Sequence, residues 1–288
     1  MRSVKFLVAA GAASLLSSAA FAADLPAPPP YAPPPVEDVG GWYLRGDIGM
    51  SNQSTKNLRL TDPTAYQGLN TFSETTNFDA APTYQIGVGY QFNNWFRADV
   101  TGQYRGSSNF KGTDLISFPW AGGVANGIDN YSASKSEWLF LANVYADLGT
   151  WWCVTPFIGA GVGTARVSIN NFTDTGANNA SFDGAGVPYV GGVNASYATA
   201  ASGSQWNFAW ALHAGLGYRI SPNATLELAY SYVNLGDGVT GVASTFDGSA
   251  GGHVFKFSNI TSQDVTLGIR WNFDTPVYMP PPPLITKG

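Results

Sequence analysis

The chain has 288 residues, 14 of them basic and 19 acidic, for a formal net charge of −5. Charged residues make up 11% and aromatic residues 14%, with 34 glycines and 9 tryptophans, whereas soluble globular domains usually carry about 25% charged residues and about 7% glycine. The acidic balance excludes a nucleic-acid partner, the aromatic content excludes a disordered chain, and the scarcity of charge fits an ordinary cytosolic enzyme poorly.

At the N-terminus Arg2 and Lys5 precede an apolar run from Phe6 to Ala20, and Ala20-Phe21-Ala22 has the small-x-small form of a cleavage site. Residues 1–22 are read as a secretory signal peptide. Beyond it no apolar run reaches the roughly 18 residues of a membrane helix, so the exported chain is either soluble or enters a membrane by another route. Twelve of the 18 prolines fall in two tails, 23–40 and 274–288. Runs such as Pro28-Pro29-Pro30 favour solvated polyproline II. Both tails are expected on the periplasmic side. Cys153 is alone and forms no disulfide within the chain.

Between residues 41 and 273 the dominant signal is alternation with period two. Trp42, Leu44, Ile48 and Met50 alternate with Tyr43, Arg45, Asp47 and Ser51. Tyr84, Ile86, Val88 and Tyr90 are followed, after Asn93-Asn94, by Ala98, Val100 and Tyr104, which alternate with Arg97, Asp99 and Gln103. Trp138, Phe140, Ala142 and Val144 stand opposite Asn143, Tyr145 and Asp147. A turn near Thr150 to Thr155 leads to Ile158, Ala160 and Val162. Phe208, Trp210, Leu212, Leu216 and Tyr218 alternate with His213 and Arg219. After Ser221-Pro222 come Leu226, Leu228, Tyr230 and Tyr232, opposite Glu227. Val265, Leu267, Ile269, Trp271 and Phe273 close the series, opposite Asp264 and Arg270.

These are eight candidate strands. Three connections are short, and four are long: about 52–82, 106–135, 170–205 and 236–261. Short turns at one end and long loops at the other are the pattern of an outer-membrane barrel. The apolar faces carry no charge. An eight-stranded barrel encloses little more than its own side chains, so the small and polar face is expected inward and the bulky apolar face outward, against lipid. Closure leaves no unpaired backbone edge in hydrocarbon. A soluble, lipocalin-like barrel is the alternative. The expected fold is therefore an all-β, eight-stranded antiparallel transmembrane β-barrel in the cell outer membrane, with four long extracellular loops.

Trp42, Trp95, Trp151, Trp152, Trp271 and Phe273 cluster near the short turns, as a periplasmic aromatic girdle would. Arg166 breaks the pattern by facing lipid and is placed at the outer rim, beside lipid head groups. Inward, Arg45, Arg97, Arg219 and Arg270 balance Asp47, Asp99, Asp147 and Glu227. Neighbouring strands pair Arg219 with Glu227, Arg97 and Asp99 with Asp147, and Arg45 and Asp47 with Arg270. A balanced set in a narrow lumen is expected to form a bridged network, a plug rather than a channel, with a gated small-solute pore as the alternative.

Gly159-Ala160-Gly161-Val162-Gly163 lacks the spacing of a nucleotide-binding loop and is read as glycines packed inside a strand. His213 and His253 have no Cys or carboxylate at ligand spacing, and no Ser-His-acid pattern emerges, so neither a metal, a cofactor nor an enzymatic activity is assigned. The loops are rich in Asn, Gly, Ser and Thr, with Trp120, Phe172, Tyr189 and Tyr197 available for contact. They suit a protein, glycan or lipopolysaccharide surface.

Tyr43-Leu44-Arg45-Gly46-Asp47-Ile48-Gly49 resembles the first strand of the RopB-type outer membrane proteins, porin-family surface proteins of Gram-negative bacteria related to the OmpA membrane domain. Gly87-Val88-Gly89-Tyr90-Gln91-Phe92-Asn93-Asn94-Trp95-Phe96-Arg97-Ala98-Asp99 is similar to their hairpin, and Pro156 to Gly163, Asn234 to Asp237 and Pro281 to Gly288 are similar to other family segments. The resemblance implies an abundant surface protein with roles in envelope integrity and host contact; some members are haem binders or weak porins. It also implies the barrel assembly machinery as a partner, with Phe273 read as an internal assembly signal because residues follow it. The chain has no room for the peptidoglycan-binding domain of full OmpA.

Overall fold

A computed structural model describes residues 40–62, 64–246 and 252–273. The expected signal peptide and, apart from Gly40, the two proline-rich tails lie outside the described residues. Eleven strands are present among them: β1 (Gly41–Ser54), β2 (Asn57–Leu60), β3 (Thr71–Phe78), β4 (Ala81–Gln91), β5 (Phe96–Trp120), β6 (Gly123–Asp147), β7 (Val154–Phe182), β8 (Pro188–Ala200), β9 (Gly203–Arg219), β10 (Ala224–Thr245) and β11 (Val254–Asn272).

Eight of these form a closed antiparallel ring. β1 pairs β4, then β5, β6, β7, β9, β10 and β11 follow in turn, and β11 returns to β1. All eight strands expected from the alternation are there, and register places each apolar row outward. Ile48, Ile86, Val100, Phe208 and Leu267 are among the exposed large side chains. Arg45, Asp47, Arg97, Asp99, Asp147, Glu227 and Arg270 are buried on the other face. Because side-chain period is two, no one-residue slip could preserve this separation.

The short turns are built locally. Asn93 Oδ1 accepts the backbone N–H groups of Trp95 and Phe96 at 3.0 and 2.8 Å. In the next turn Trp152 and Cys153 adopt left-handed φ values of 49° and 71°, and Cys153 is exposed. Ser221 Oγ accepts the Ala224 N–H at 2.9 Å.

The long connections are not loops in the expected sense. β5 and β6 each run for 25 residues and β7 for 29. At about 3.3 Å per residue, β5 is roughly 80 Å long, far beyond the apolar band of about 25 Å that a barrel presents to lipid. The ring therefore continues outside the membrane as paired sheet. Accessory strands replace ring strands as these end: β2 takes the place beside β11, β3 beside β5, and β8 between β7 and β10. Bulges at the membrane edge, between Arg105 and Ser108 on β5, Asn170 and Thr173 on β7, and Asn234 and Gly236 on β10, shift the inward parity of those strands by one residue.

The interior also departs from the expectation that bulky side chains stay outside. Tyr43, Tyr145 and Phe157 are buried in the lumen. Each lies opposite a glycine on the next strand: Tyr43 on Gly89, Tyr145 on Gly159, Phe157 on Gly215. A Cβ at any of the three glycines would collide with the facing ring. The glycine run of β7 is thus part of the space that lumen aromatics occupy.

Candidate functional site

The lumen is filled in tiers. Nearest the short turns, Arg45 grips Asp47 with two N–H groups at 3.0 and 2.8 Å and reaches Asp99 at 3.3 Å and the Tyr145 hydroxyl at 3.1 Å. Gln85 donates to Asp47 at 2.8 Å, and Asn143 to Asp99 at 2.8 Å. Arg97 donates to Asp147 at 3.2 Å and lies over the rings of Tyr145 and Phe157. Arg270 donates to Glu227 at 2.8 Å and to Gln91 at 2.9 Å. Glu227 is the hub, because Arg45 and Arg97 also approach it, each at 3.4 Å. The polar partners offset charges that a low-dielectric wall would otherwise penalise, while Arg97 Nη1 and Nη2 and Glu227 Oε2 are held by charge alone, without a hydrogen bond among the described residues.

Seven of the eight expected lumen charges meet here. Arg219 does not. It is exposed at the open end of the barrel, with its backbone N–H on the Cys153 carbonyl, and Glu227 faces Gly217 rather than Arg219. Arg270 pairs with Glu227, not with Asp47, and Asp47 takes its partner from its own strand.

A second ionic tier lies above the first, and of its charges alternation marks only Asp264. Arg105 bridges Asp264 and donates to Gln103 at 3.0 Å and Ser262 at 2.9 Å. Lys135 meets Glu137 and Gln53. A cavity of about 20 Å³ between the tiers is lined by Arg45, Tyr145, His213 and Asp264 among others, room for about one water. His213 is held by Ser231 at 2.8 Å and Asn143 at 3.2 Å, whereas His253 lies near Asp62, well away from the lumen tiers.

Above this, Phe78, Phe110, Phe172, Phe255 and Phe257 pack face and edge with centroids 4.4 to 6.4 Å apart. Leu58, Leu235 and Ile260 complete an apolar core inside the extended barrel. Beyond it stand four inward carboxylates. Glu74, Asp114 and Asp129 are successive register partners on β3, β5 and β6, and Asp174 lies beside them on β7, in register with Tyr131. Arg59 pairs with Glu74 at 2.9 Å, and the Tyr131 hydroxyl donates to Asp114 at 3.2 Å. Burial, then the charge of Glu74, pushes the Asp114 carboxyl up to about 7. Burial, then Asp129 and Asp114, pushes Asp174 up to about 7.

The folded extension thus keeps protons that an unfolded chain releases near pH 4. Its stability falls as pH rises from about 4 through 7 and levels off above. Asp114→Asn is expected to strengthen the extension at pH 8 by on the order of 1 kcal/mol, allowing for water at its open end, and to flatten the profile. Protease protection of the refolded barrel at about pH 5.5 and 8, either side of the folded carboxyl values, checks this; a wild type better protected at the higher pH contradicts it.

On the outer surface Trp42, Trp95, Trp151, Trp152, Trp271 and Phe273 are all exposed near the short turns. A second belt stands at the other edge. Tyr104 and Trp138 are register partners, with ring centroids 5.0 Å apart, and Trp138, Phe140 and Trp206 stack in sequence. Two aromatic belts bound the apolar band, as the two interfaces of a bilayer require.

A closed ring with an apolar exterior, a polar interior and two aromatic belts defines an outer-membrane β-barrel. The outer membrane protein beta-barrel domain model matches residues 8–273, and the chain belongs to that family. It is 30% identical to an uncharacterized protein of Brucella suis over 77% of this chain and 78% of that one. It is 29% identical to a putative adhesin of Rickettsia bellii over 92% and 97%, and 27% identical to the outer membrane protein PagN of Salmonella typhimurium over 65% and 71%.

Proposed function

We propose that the protein is a surface-contact protein of the outer membrane, a sealed barrel that holds a stiff β extension outside the cell. The exposed apolar surface of the β7–β8 hairpin carries this reading. Phe182, Val187, Tyr189, Val193 and Tyr197 are exposed there, Val193 at 79%. All but Val187, at the hairpin's tip, lie on strands that pair with each other, Phe182 on one side of the ribbon and Tyr189 on the other, and side chains held on paired strands lose little entropy on binding. An apolar patch with a polar surround is the usual mark of a protein-binding surface. The likeness to the Rickettsia bellii putative adhesin supports the same role. The ionic and aromatic tiers favour a sealed lumen over a small-solute porin.

The test is display of the full chain on a non-adherent Gram-negative host and retention of the cells on immobilised proteins and glycans. Retention is expected to fall about tenfold in Val193→Ser/Tyr197→Ser, as loss of an apolar anchor worth ~1–2 kcal/mol requires. Lys111→Gln is expected to leave it unchanged. Retention no better than that of cells without the protein would overturn the reading.

A further inference from the structure

Three rows of outward side chains cross β6, β7 and β9 at the extracellular edge of the apolar band. The lowest is Phe140, Thr164 and Phe208; the next is Trp138, Arg166 and Trp206; the highest is Ser136, Ser168 and Ser204. Arg166 therefore stands where the surface changes from aromatic to hydroxylated, with an indole on either side at cross-strand distance. Its side chain donates to Ser204 Oγ at 3.2 Å. Among the described residues no carboxylate shares the outward face of these three strands at this level. A guanidinium has five N–H donors in a fixed fork, so most of them point away from protein, at the depth of the head groups.

We propose that Arg166, flanked by Trp138 and Trp206 and roofed by Ser136, Ser168 and Ser204, binds a phosphate group of an outer-leaflet lipid. The chemistry is specific at three points. An arginine on a lipid-facing surface is tolerated where its charge reaches an anionic head group. The planar fork donates two parallel N–H bonds to two phosphate oxygens, which a lysine cannot do. The tryptophans fix the depth of the site, since indoles settle at the head-group level, and the serine hydroxyls are available to further phosphate oxygens. The lumen cations cannot take this role, because Arg45, Arg97, Arg105, Lys135 and Arg270 are all buried inside the barrel. The site would fix the rotational setting of the barrel in its leaflet and so the orientation of the β7–β8 hairpin. Its existence depends on the membrane fold and not on what the hairpin binds.

The experiment is native mass spectrometry of the full mature barrel refolded in detergent, with diphosphoryl lipid A or its fully dephosphorylated counterpart as probe. Folding of each variant is verified by gel mobility without heating. Wild type is expected to retain the diphosphoryl lipid and not the dephosphorylated one. Arg166→Gln is expected to lower the retained fraction about tenfold, the worth of one charge-assisted bidentate contact. Arg166→Lys is expected to fall between, and Lys111→Gln to match wild type. Equal retention of the two lipids, or no change in Arg166→Gln, would overturn the site. Displacement of the lipid by inorganic pyrophosphate at equal concentration would also overturn it, by showing a water-facing anion site indifferent to the lipid.

Discussion

Glu227→Gln is expected to destabilise the folded barrel by about 3–5 kcal/mol, the usual cost of removing one partner from a buried ionic network. The three arginines at Glu227 do not depend on it equally. Arg45 keeps Asp47 and Asp99, and Arg97 keeps Asp147, but Arg270 keeps no carboxylate, only the Gln91 amide oxygen and the face of the Tyr43 ring. The uncompensated charge therefore falls mostly on Arg270. The double variant Glu227→Gln/Arg270→Gln is accordingly expected to be less damaged than the sum of its parts, by about 1 kcal/mol or more on the scale of coupled neighbours. Urea titration of the barrel in lipid vesicles, read by the mobility of folded and unfolded bands, measures both quantities. A single variant within about 0.5 kcal/mol of wild type, the range of an ordinary surface change, would show that Glu227 is not the hub.

The same network shows what alternation can reveal and what it cannot. Parity tells inside from outside at Arg45, Asp99 and Glu227, because a strand has only two faces. It does not tell depth. Arg219 has the inward parity of its neighbours but opposes Thr225 at the last row before the turn, where the lumen opens to water and a charge needs no partner. Arg105, Lys135 and Glu137 are legible in principle. Arg105 continues the parity of Arg97 and Gln103, and Lys135 and Glu137 continue that of Asn143 and Asp147. A strand pattern that stops at Tyr104 and resumes at Trp138 leaves them out, because it ends just short of the bulges.

Past each bulge the rhythm restarts one residue out of phase. A fixed period of two then meets polar residues on both faces, which is also how a loop looks. Phe110, Asp114, Phe172 and Asp174 belong to faces that only the shifted count brings together. The aromatic core and the carboxylate row are hidden for this reason, not for want of strand-forming residues. The outer aromatic belt is hidden differently: Tyr104, Trp138 and Trp206 become a row only when register is known.

Phe257→Ala is expected to cost about 3–5 kcal/mol, as large-to-small changes in a packed core do, because its ring packs against those of Phe78, Phe110 and Phe172. The more telling result concerns passage through the barrel. If the lumen is sealed in series by ionic and aromatic tiers, thinning one tier leaves the other in place. Phe172→Ala/Phe257→Ala is then expected to remain without steady conductance in a planar bilayer, since Arg105, Asp264 and the lattice around Glu227 still span the bore. Conductance is expected only when both ionic tiers are also cut, by Glu227→Gln/Arg270→Gln together with Arg105→Gln/Asp264→Asn, and it should be small, because Tyr43, Tyr145 and Phe157 remain in the lumen. A wild-type barrel with a large, steady current would contradict the seal outright. A current that appeared with the aromatic pair alone would place the whole barrier in the extracellular core and reduce the buried charges to a structural lattice around a wider path.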